Sequence, residues 1–273
     1  MIIWLASYPK SGNTWLRSIV SSLLYSEDGY FNIDLLKKID QFPQRKFFEN
    51  LTNDFYNIHE IKKNWITAQD KLNLDNKIKV LKTHNLNCTI GNHAFTNKNN
   101  TVATIYIVRD PRNLVNSISN HFNKSPEEAK NFILTSKVIS GYSQKNSRGG
   151  DVITLIGSWQ EHYQFWTKKN ENLLLIKYED LIEKPFEEMD KLINFLKKYV
   201  KVSSDKKKVE NILNSSSFDA LKKIEEQGLF TENVFEKNSD NKIKFFNLGP
   251  DNDWKKSLNK DIQKEIETKL EVE

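Results

Sequence analysis

The chain holds a single cysteine, Cys88, in 273 residues. No intrachain disulfide can form, and no zinc or iron–sulfur site can be built on cysteines. A reducing compartment is therefore expected. No run of about 18 apolar residues occurs, so no segment reads as a helix that spans a bilayer. An excess of one charge is missing as well. The 41 Lys and Arg and 36 Asp and Glu are interleaved along the chain and leave a net +5. That is too weak and too diffuse for a histone-like partner or a polybasic membrane anchor, though it suits an anionic small ligand. The apolar start of the chain meets Pro9 and Lys10 before a secretory core could be complete, and no basic segment precedes it. No signal peptide is expected. A soluble, cytoplasmic, globular protein follows as the expectation. The length suits one large α/β domain or two small ones, at about 150 residues per domain.

What is present is alternation. Buried strands are predicted at 2–6, 78–82, 102–108 and 173–178, all rich in Ile, Val, Leu or Tyr. Helical patterns follow three of them, at 14–25, 112–122 and 186–198. Strand–helix alternation argues for βαβ units and a parallel sheet. Ser125-Pro-Glu-Glu128 reads as a capped helix start, and a further helix is predicted over 152–168. Irregular stretches are expected at 40–76, 85–100, 137–151 and 228–253, with no internal repeat or long linker. In an open parallel sheet, ligands bind beyond the carboxyl ends of the strands. The unusual residues of this chain stand there.

The first strand runs into Ser7-Tyr-Pro-Lys-Ser-Gly-Asn-Thr-Trp15 and then a helix. A glycine turn at a helix start can cradle an anion with its backbone N–H groups. Lys10 adds a point charge, and Ser11 and Thr14 add hydroxyls; the bland alternative is a structural turn. A nucleotide-triphosphate P-loop places Lys after its second Gly, whereas Lys10 precedes Gly12, the only glycine here. Arg109, at the end of the third strand, offers a forked guanidinium suited to phosphate. Ser117, two turns into the next helix, can lie beside it. The competing reading makes Arg109 and Asp110 a local ion pair. His84 directly follows the second strand, with Lys82 alternating onto the same side. A lone histidine is otherwise structural, and His59, His93, His121 and His162 lack such a setting; His162 reads as packing.

Tyr8-Pro-Lys-Ser-Gly-Asn-Thr-Trp15 resembles the 5′-phosphosulfate loop of the cytosolic-type sulfotransferases, departing from it only at Asn13. Ile105 to Ser117, with Arg109-Asp-Pro-Arg112 inside it, is similar to that family's 3′-phosphate motif. Lys82-Thr-His84 resembles its catalytic Lys-Thr-His, and Tyr178-Glu-Asp180 its Tyr-Glu-Asp. Ser216-Ser-Phe218 resembles its Thr-Ser-Phe. The resemblance implies one domain over 1–273, with a P-loop-like parallel β-sheet flanked by helices. It also implies 3′-phosphoadenosine 5′-phosphosulfate as donor, a hydroxyl or amine on a small molecule as acceptor, and no metal.

On that match His84 is the base, and Lys10 and Lys82 stabilise the leaving phosphate. Ser117 holds Lys10 back until acceptor binds. Lys10, Ser11, Gly12, Asn13, Thr14 and Trp15 hold the 5′ side of the nucleotide, with Arg109 and Ser117 on the 3′-phosphate. Tyr178 lies near the nucleotide, Ser216 takes the Thr position, and Trp15 and Phe218 sandwich the adenine. A core aromatic is the competing reading for both Tyr178 and Phe218. The closing segment departs from the family: Asn247 and Leu248 stand where it carries Arg and Lys, while Gly249, Asp253 and Trp254 fit. A nearby lysine, Lys242, Lys244, Lys255 or Lys256, would have to substitute. The family's dimer signature is absent after Trp254. The acceptor is bounded by the irregular segments, whose aromatics (Phe42, Trp65, Phe95, Tyr142, Phe230, Phe235 and others) either line an apolar pocket or pack beneath loops. Two other classes remain to be weighed: a phosphoryl transferase, which lacks its P-loop pattern, and a nucleic-acid binder, which lacks a basic face or motif.

Overall fold

The computed structural model describes residues 1–139, 152–168, 170–203, 205–230, 232, 234–235 and 241–270. Tyr142, one of the aromatics expected near the acceptor, lies outside the described residues, as does the side chain of Phe235. The first elements in chain order are β1 (Ile2–Ala6), α1 (Asn13–Tyr25), α2 (Ile58–Leu72), β2 (Lys79–Thr83), β3 (Thr101–Val108), α3 (Pro111–Phe122) and α4 (Pro126–Leu134). They are followed by α5 (Trp159–Thr167), β4 (Leu173–Lys177), α6 (Tyr178–Glu183), α7 (Pro185–Leu196), α8 (Lys206–Ser215), α9 (Phe218–Glu226), α10 (Trp254–Ser257) and α11 (Lys260–Leu270). The chain forms two compact units, one of residues 1–8, 39–106 and 136–175, the other of residues 9–38, 107–135 and 176–273.

The first unit is built on a sheet of order β2-β1-β3-β4, with β1 parallel to both of its neighbours. All five residues of β1 are buried, which is why its sequence is an unbroken apolar run rather than an alternation. Trp4 packs its ring against Phe42, Phe95 and Trp166 at 5.7, 5.4 and 6.3 Å between centroids. Trp65 meets Phe95 at 5.4 Å. Phe42, Trp65 and Phe95 are fully buried, so of their two readings the packing one holds. Core aromatics of this kind are worth roughly 3–5 kcal/mol each against alanine.

Two expectations are corrected in this unit. The stretch 40–76 is not irregular throughout, since α2 occupies 58–72 within it. Asn57 caps α2 by accepting from His59 N–H, and Ile61, Trp65 and Ala68 fall on one buried face. The helix predicted over 152–168 begins only at Trp159. Residues 154–155 instead pair with 138–139 as a short antiparallel ladder. Val152, Ile153, Thr154 and Ile156 are β-branched and favour extended backbone. Ser158 and Glu161 then form a complete capping box.

In the second unit α1 buries Leu16, Ile19, Val20 and Leu23. Asp110 caps α3 through Arg112 N–H, with Pro111 in the first turn. The expected capping box of Ser125 and Glu128 opens α4. Asp110 does not pair with Arg109; it binds Arg112 at 2.8 Å, and Arg112 also binds Glu267 at 2.8 Å, tying α3 to α11. A separate hydrophobic cluster of Phe31, Leu35, Leu36, Leu221, Phe230 and Phe246 has Trp15, Phe218 and Phe245 packed against it.

Candidate active site

In the first unit the group of interest stands at the carboxyl end of β2. Lys82 is buried in the strand, beside Leu5 of β1. His84 follows the strand end and is half-buried. Its Nδ1 lies 2.8 Å from the carbonyl oxygen of Ser7 and 3.2 Å from Ser7 Oγ. A carbonyl oxygen only accepts, so Nδ1 carries the hydrogen. In the neutral ring the lone pair is then on Nε2, which is the atom able to take a proton.

His162, read from the sequence as packing, does more. It is wholly buried, and its Nε2–H donates to the backbone oxygen of His84 at 3.2 Å. The Tyr106 hydroxyl donates to its Nδ1 at 2.8 Å. Trp166 Nε1–H reaches the next carbonyl, of Asn85, at 2.9 Å. The backbone that carries His84 is thus held from behind by α5. A signal existed in the four-residue spacing of His162 and Trp166, which puts both on one helix face.

Burial lowers the pKa of His162 from 6.5 to about 3. The folded state keeps this ring neutral, whereas an unfolded chain protonates it below pH 6.5. Its contribution to stability is full above pH 6.5 and is lost as pH falls from 6.5 towards about 3. Chemical denaturation at pH 7, 5.5 and 4.5 should show a steeper acid loss for the wild type than for His162→Gln. Equal slopes would mean that the ring is not the titrating group.

In the second unit the turn into α1 has the expected character. Lys10 and Gly12 both adopt left-handed backbone, at φ 68° and 97°. For Lys10 this is a strained conformation of the kind kept at functional sites. Gly12 is the residue before α1 and makes no side-chain cap. A Cβ on it would lie 2.6 Å from the Tyr178 ring, so only glycine fits. Ser11 is fully buried and its hydroxyl has no hydrogen-bond partner. Asn13 and Thr14 begin α1 and are also buried. An uncapped helix start beside an unsatisfied buried hydroxyl fits a bound anion.

Arg109 is 5% exposed. One of its terminal nitrogens lies 3.4 Å from Ser117 Oγ, and the other donates to the Gly249 carbonyl at 3.2 Å. Its guanidinium stacks on Tyr178 at 4.1 Å, and Tyr178 meets Trp15 edge-on at 5.5 Å. Burial lowers the pKa of Arg109, against the opposing influence of Tyr178, Glu179 and Asp110. Arg109 and Ser117 are thus brought against Tyr178 and Trp15, and the neighbouring Asp110 N–H donates to Glu179, 69 positions further along the chain, at 3.2 Å. Gly249, at φ 53°, has no room for a Cβ because the Phe218 ring fills that space.

Four of the expected site residues have surroundings of their own. The hydroxyl of Ser117 serves Arg109 and accepts from Asn252 Nδ2 at 3.3 Å. It is His121, one turn further along α3, whose Nδ1 accepts from Lys10 Nζ at 3.3 Å. Phe245 lies under the same ammonium at 3.8 Å. The hydroxyl of Ser216 is wholly buried and donates to Ile212 O at 2.7 Å, so its proton is committed to the last turn of α8. Asn247 and Leu248 are exposed and bring no cation. Asn247 lines a cavity of about 290 Å³ with Ser119, Asn120, Lys242 and Lys244, which places two of the four candidate lysines beside it. The other two, Lys255 and Lys256, lie against Trp254 and Asp253. Asn252 is a member that sequence reasoning missed; it also donates to Asn113 O at 2.6 Å and fastens the closing segment to α3.

A parallel sheet whose first strand leads through a glycine turn to an uncapped helix start, with an arginine buried after β3, defines an α/β protein of the phosphate-binding class. The chain belongs to the sulfotransferase domain family, whose model matches residues 2–271. Enzymes of this class move sulfuryl groups. A flavonol 3-sulfotransferase of Flaveria bidentis is 24% identical over 270 residues, spanning 97% of this chain and 79% of that protein. Cytosolic sulfotransferase 1 of Danio rerio is 27% identical over 263 residues, spanning 93% of this chain and 76% of the relative. The fold is similar to that of mouse sulfotransferase SULT7A1 complexed with PAP, with a TM-score of 0.59 and 18% identity over 98% of this chain and 81% of that one. Among the described residues no helix is long and apolar enough to cross a membrane. Nor, among them, do three or more His, Cys, Asp or Glu side chains gather as metal ligands would.

Proposed function

We propose that the protein transfers a sulfuryl group from 3′-phosphoadenosine 5′-phosphosulfate to a hydroxyl group of a small-molecule acceptor, in the cytoplasm. The observation that carries this reading is the turn between β1 and α1. Its Ser11 hydroxyl is buried without a hydrogen-bond partner, and the left-handed turn at Gly12 leads into a helix start with no side-chain cap, an arrangement that suits an anion. When bound, the donor supplies an activated sulfuryl group whose leaving oxygen belongs to a phosphate.

The protein's own residues do the rest. His84 Nε2 takes the proton of the acceptor hydroxyl, with Nδ1–H pinned on the Ser7 carbonyl so that the lone pair faces the other way round the ring. Lys10 and Lys82 bring positive charge to the phosphate that departs, fixed before the reaction begins. Arg109, aligned by Ser117 and the Gly249 carbonyl, takes the 3′-phosphate with its planar fork. Trp15, Tyr178 and Phe218 supply ring surface to the base. Ser11, Asn13 and Thr14 bind the 5′ side, together with the backbone around Gly12. His121 holds Lys10 in the absence of ligand, the part expected of Ser117.

The test is thermal. A ligand that binds only the folded state raises the melting temperature by mass action. Adenosine 3′,5′-bisphosphate should do so strongly, and ATP with magnesium much less. Stabilisation by ATP alone, with the bisphosphate inert, would replace this reading by phosphoryl transfer.

A further inference from the structure

Glu232 stands where an anion is expected. Its carboxylate accepts from Thr14 Oγ1 at 3.5 Å and pairs with the guanidinium of Arg17. Thr14 and Arg17 are three residues apart on α1 and therefore neighbours on its surface. Arg17 is 4% exposed, and its Nε has no hydrogen-bond partner. The first turn of α1 contains no acidic residue, and Gly12 provides no side-chain cap. The positive end of the helix thus meets a carboxylate delivered by a residue 215 positions away from Arg17. Ser11, in the same turn, keeps its buried hydroxyl unsatisfied even so.

A guanidinium this deep is tolerated only with a compensating anion, because the uncompensated charge is costly to desolvate. A carboxylate can serve, and so can the oxygens of a phosphate or sulfate, which match the same planar fork.

We propose that Arg17 is a further contact to the 5′ anion of the donor, and that Glu232 is an internal stand-in for that anion, exchanged for it on binding. The inference rests on the donor reading given above. It makes nucleotide binding a competition, in which the 5′-phosphate must displace a carboxylate already held by Arg17 and Thr14.

Isothermal titration of wild type and Glu232→Gln decides the matter. The variant should bind adenosine 3′,5′-bisphosphate about tenfold more tightly, equivalent to roughly 1.4 kcal/mol. Without nucleotide it should melt at a lower temperature, because Arg17 has lost its charged partner. Adenosine 3′-monophosphate, which lacks the 5′-phosphate, should gain nothing. The double variant Arg17→Gln/Glu232→Gln should lose the gain, which is a direct measure of coupling. Should both proteins bind the bisphosphate with equal affinity, or the variant more weakly, the ion pair is structural and the inference is overturned while the donor reading stands. A gain shared by the 3′-monophosphate also overturns it. If neither protein binds the bisphosphate, the donor reading fails and takes the inference with it.

Discussion

Replacing His84 by alanine is expected to lower turnover by roughly 10²–10⁴-fold, the usual value of a positioned general base, and to leave the affinity for adenosine 3′,5′-bisphosphate near that of the wild type. The asymmetry follows from the geometry. His84 is anchored through Nδ1 to Ser7, and its carbonyl to His162, so removing the ring beyond Cβ leaves the backbone in place. Lys10, Arg109 and Ser117 belong to the other unit and keep their own partners. Transfer of label from donor to whichever acceptor of a hydroxyl panel responds gives turnover, and calorimetry gives affinity. If the two fall together, His84 is a structural residue and the base lies elsewhere.

Arg109→Ala should show the converse pattern, with nucleotide affinity lost first. A hydrogen bond to a charged group is worth about 1.5–3 kcal/mol, so the loss of the fork should weaken the bisphosphate by roughly 10–100-fold or more. The melting temperature should also fall, because the stack on Tyr178 and the bond to the Gly249 carbonyl disappear together. Arg109→Lys separates the two effects. It retains the charge and loses the planar fork, so affinity should be intermediate if geometry matters and near wild type if charge alone does. A nucleotide without the 3′-phosphate should be nearly indifferent to either change. Equal weakening of both nucleotides would mean that Arg109 supports the fold rather than the phosphate.

Much of this site can be read along the chain because its chemistry is local. The turn of Tyr8 to Trp15 and the Arg109–Ser117 spacing each lie within a single strand-to-helix step, and the Lys82–His84 pair lies at the end of one strand. Their geometry follows from 2-residue and 3.6-residue periodicities that the sequence displays directly. The same locality explains why β1 falls where its apolar run does, and why the capping boxes at Ser125 and Ser158 form where Ser and Glu stand three apart. The second of these was legible in principle and was masked by the apolar stretch before it. Helix α2 was hidden by composition, since Asn and Lys surround the Ile61, Trp65 and Ala68 stripe that makes it amphipathic.

The sequence by itself determined the parallel α/β class, the order of the four main strands, and the identities of the residues that follow each of them. Only the tertiary structure decided which of them act together. The Nδ1 hydrogen of His84 is set by a carbonyl 77 positions away, and the restraint on Lys10 by a histidine 111 positions away. The packing of Phe42 and Phe95 on Trp4, and the meeting of Arg17 with Glu232, are equally remote along the chain. The physical reason is common to all of them. Propensity and periodicity act over a few residues, whereas hydrogen bonds and burial depend on distance in space, and no local pattern encodes which distant group will arrive at 3 Å.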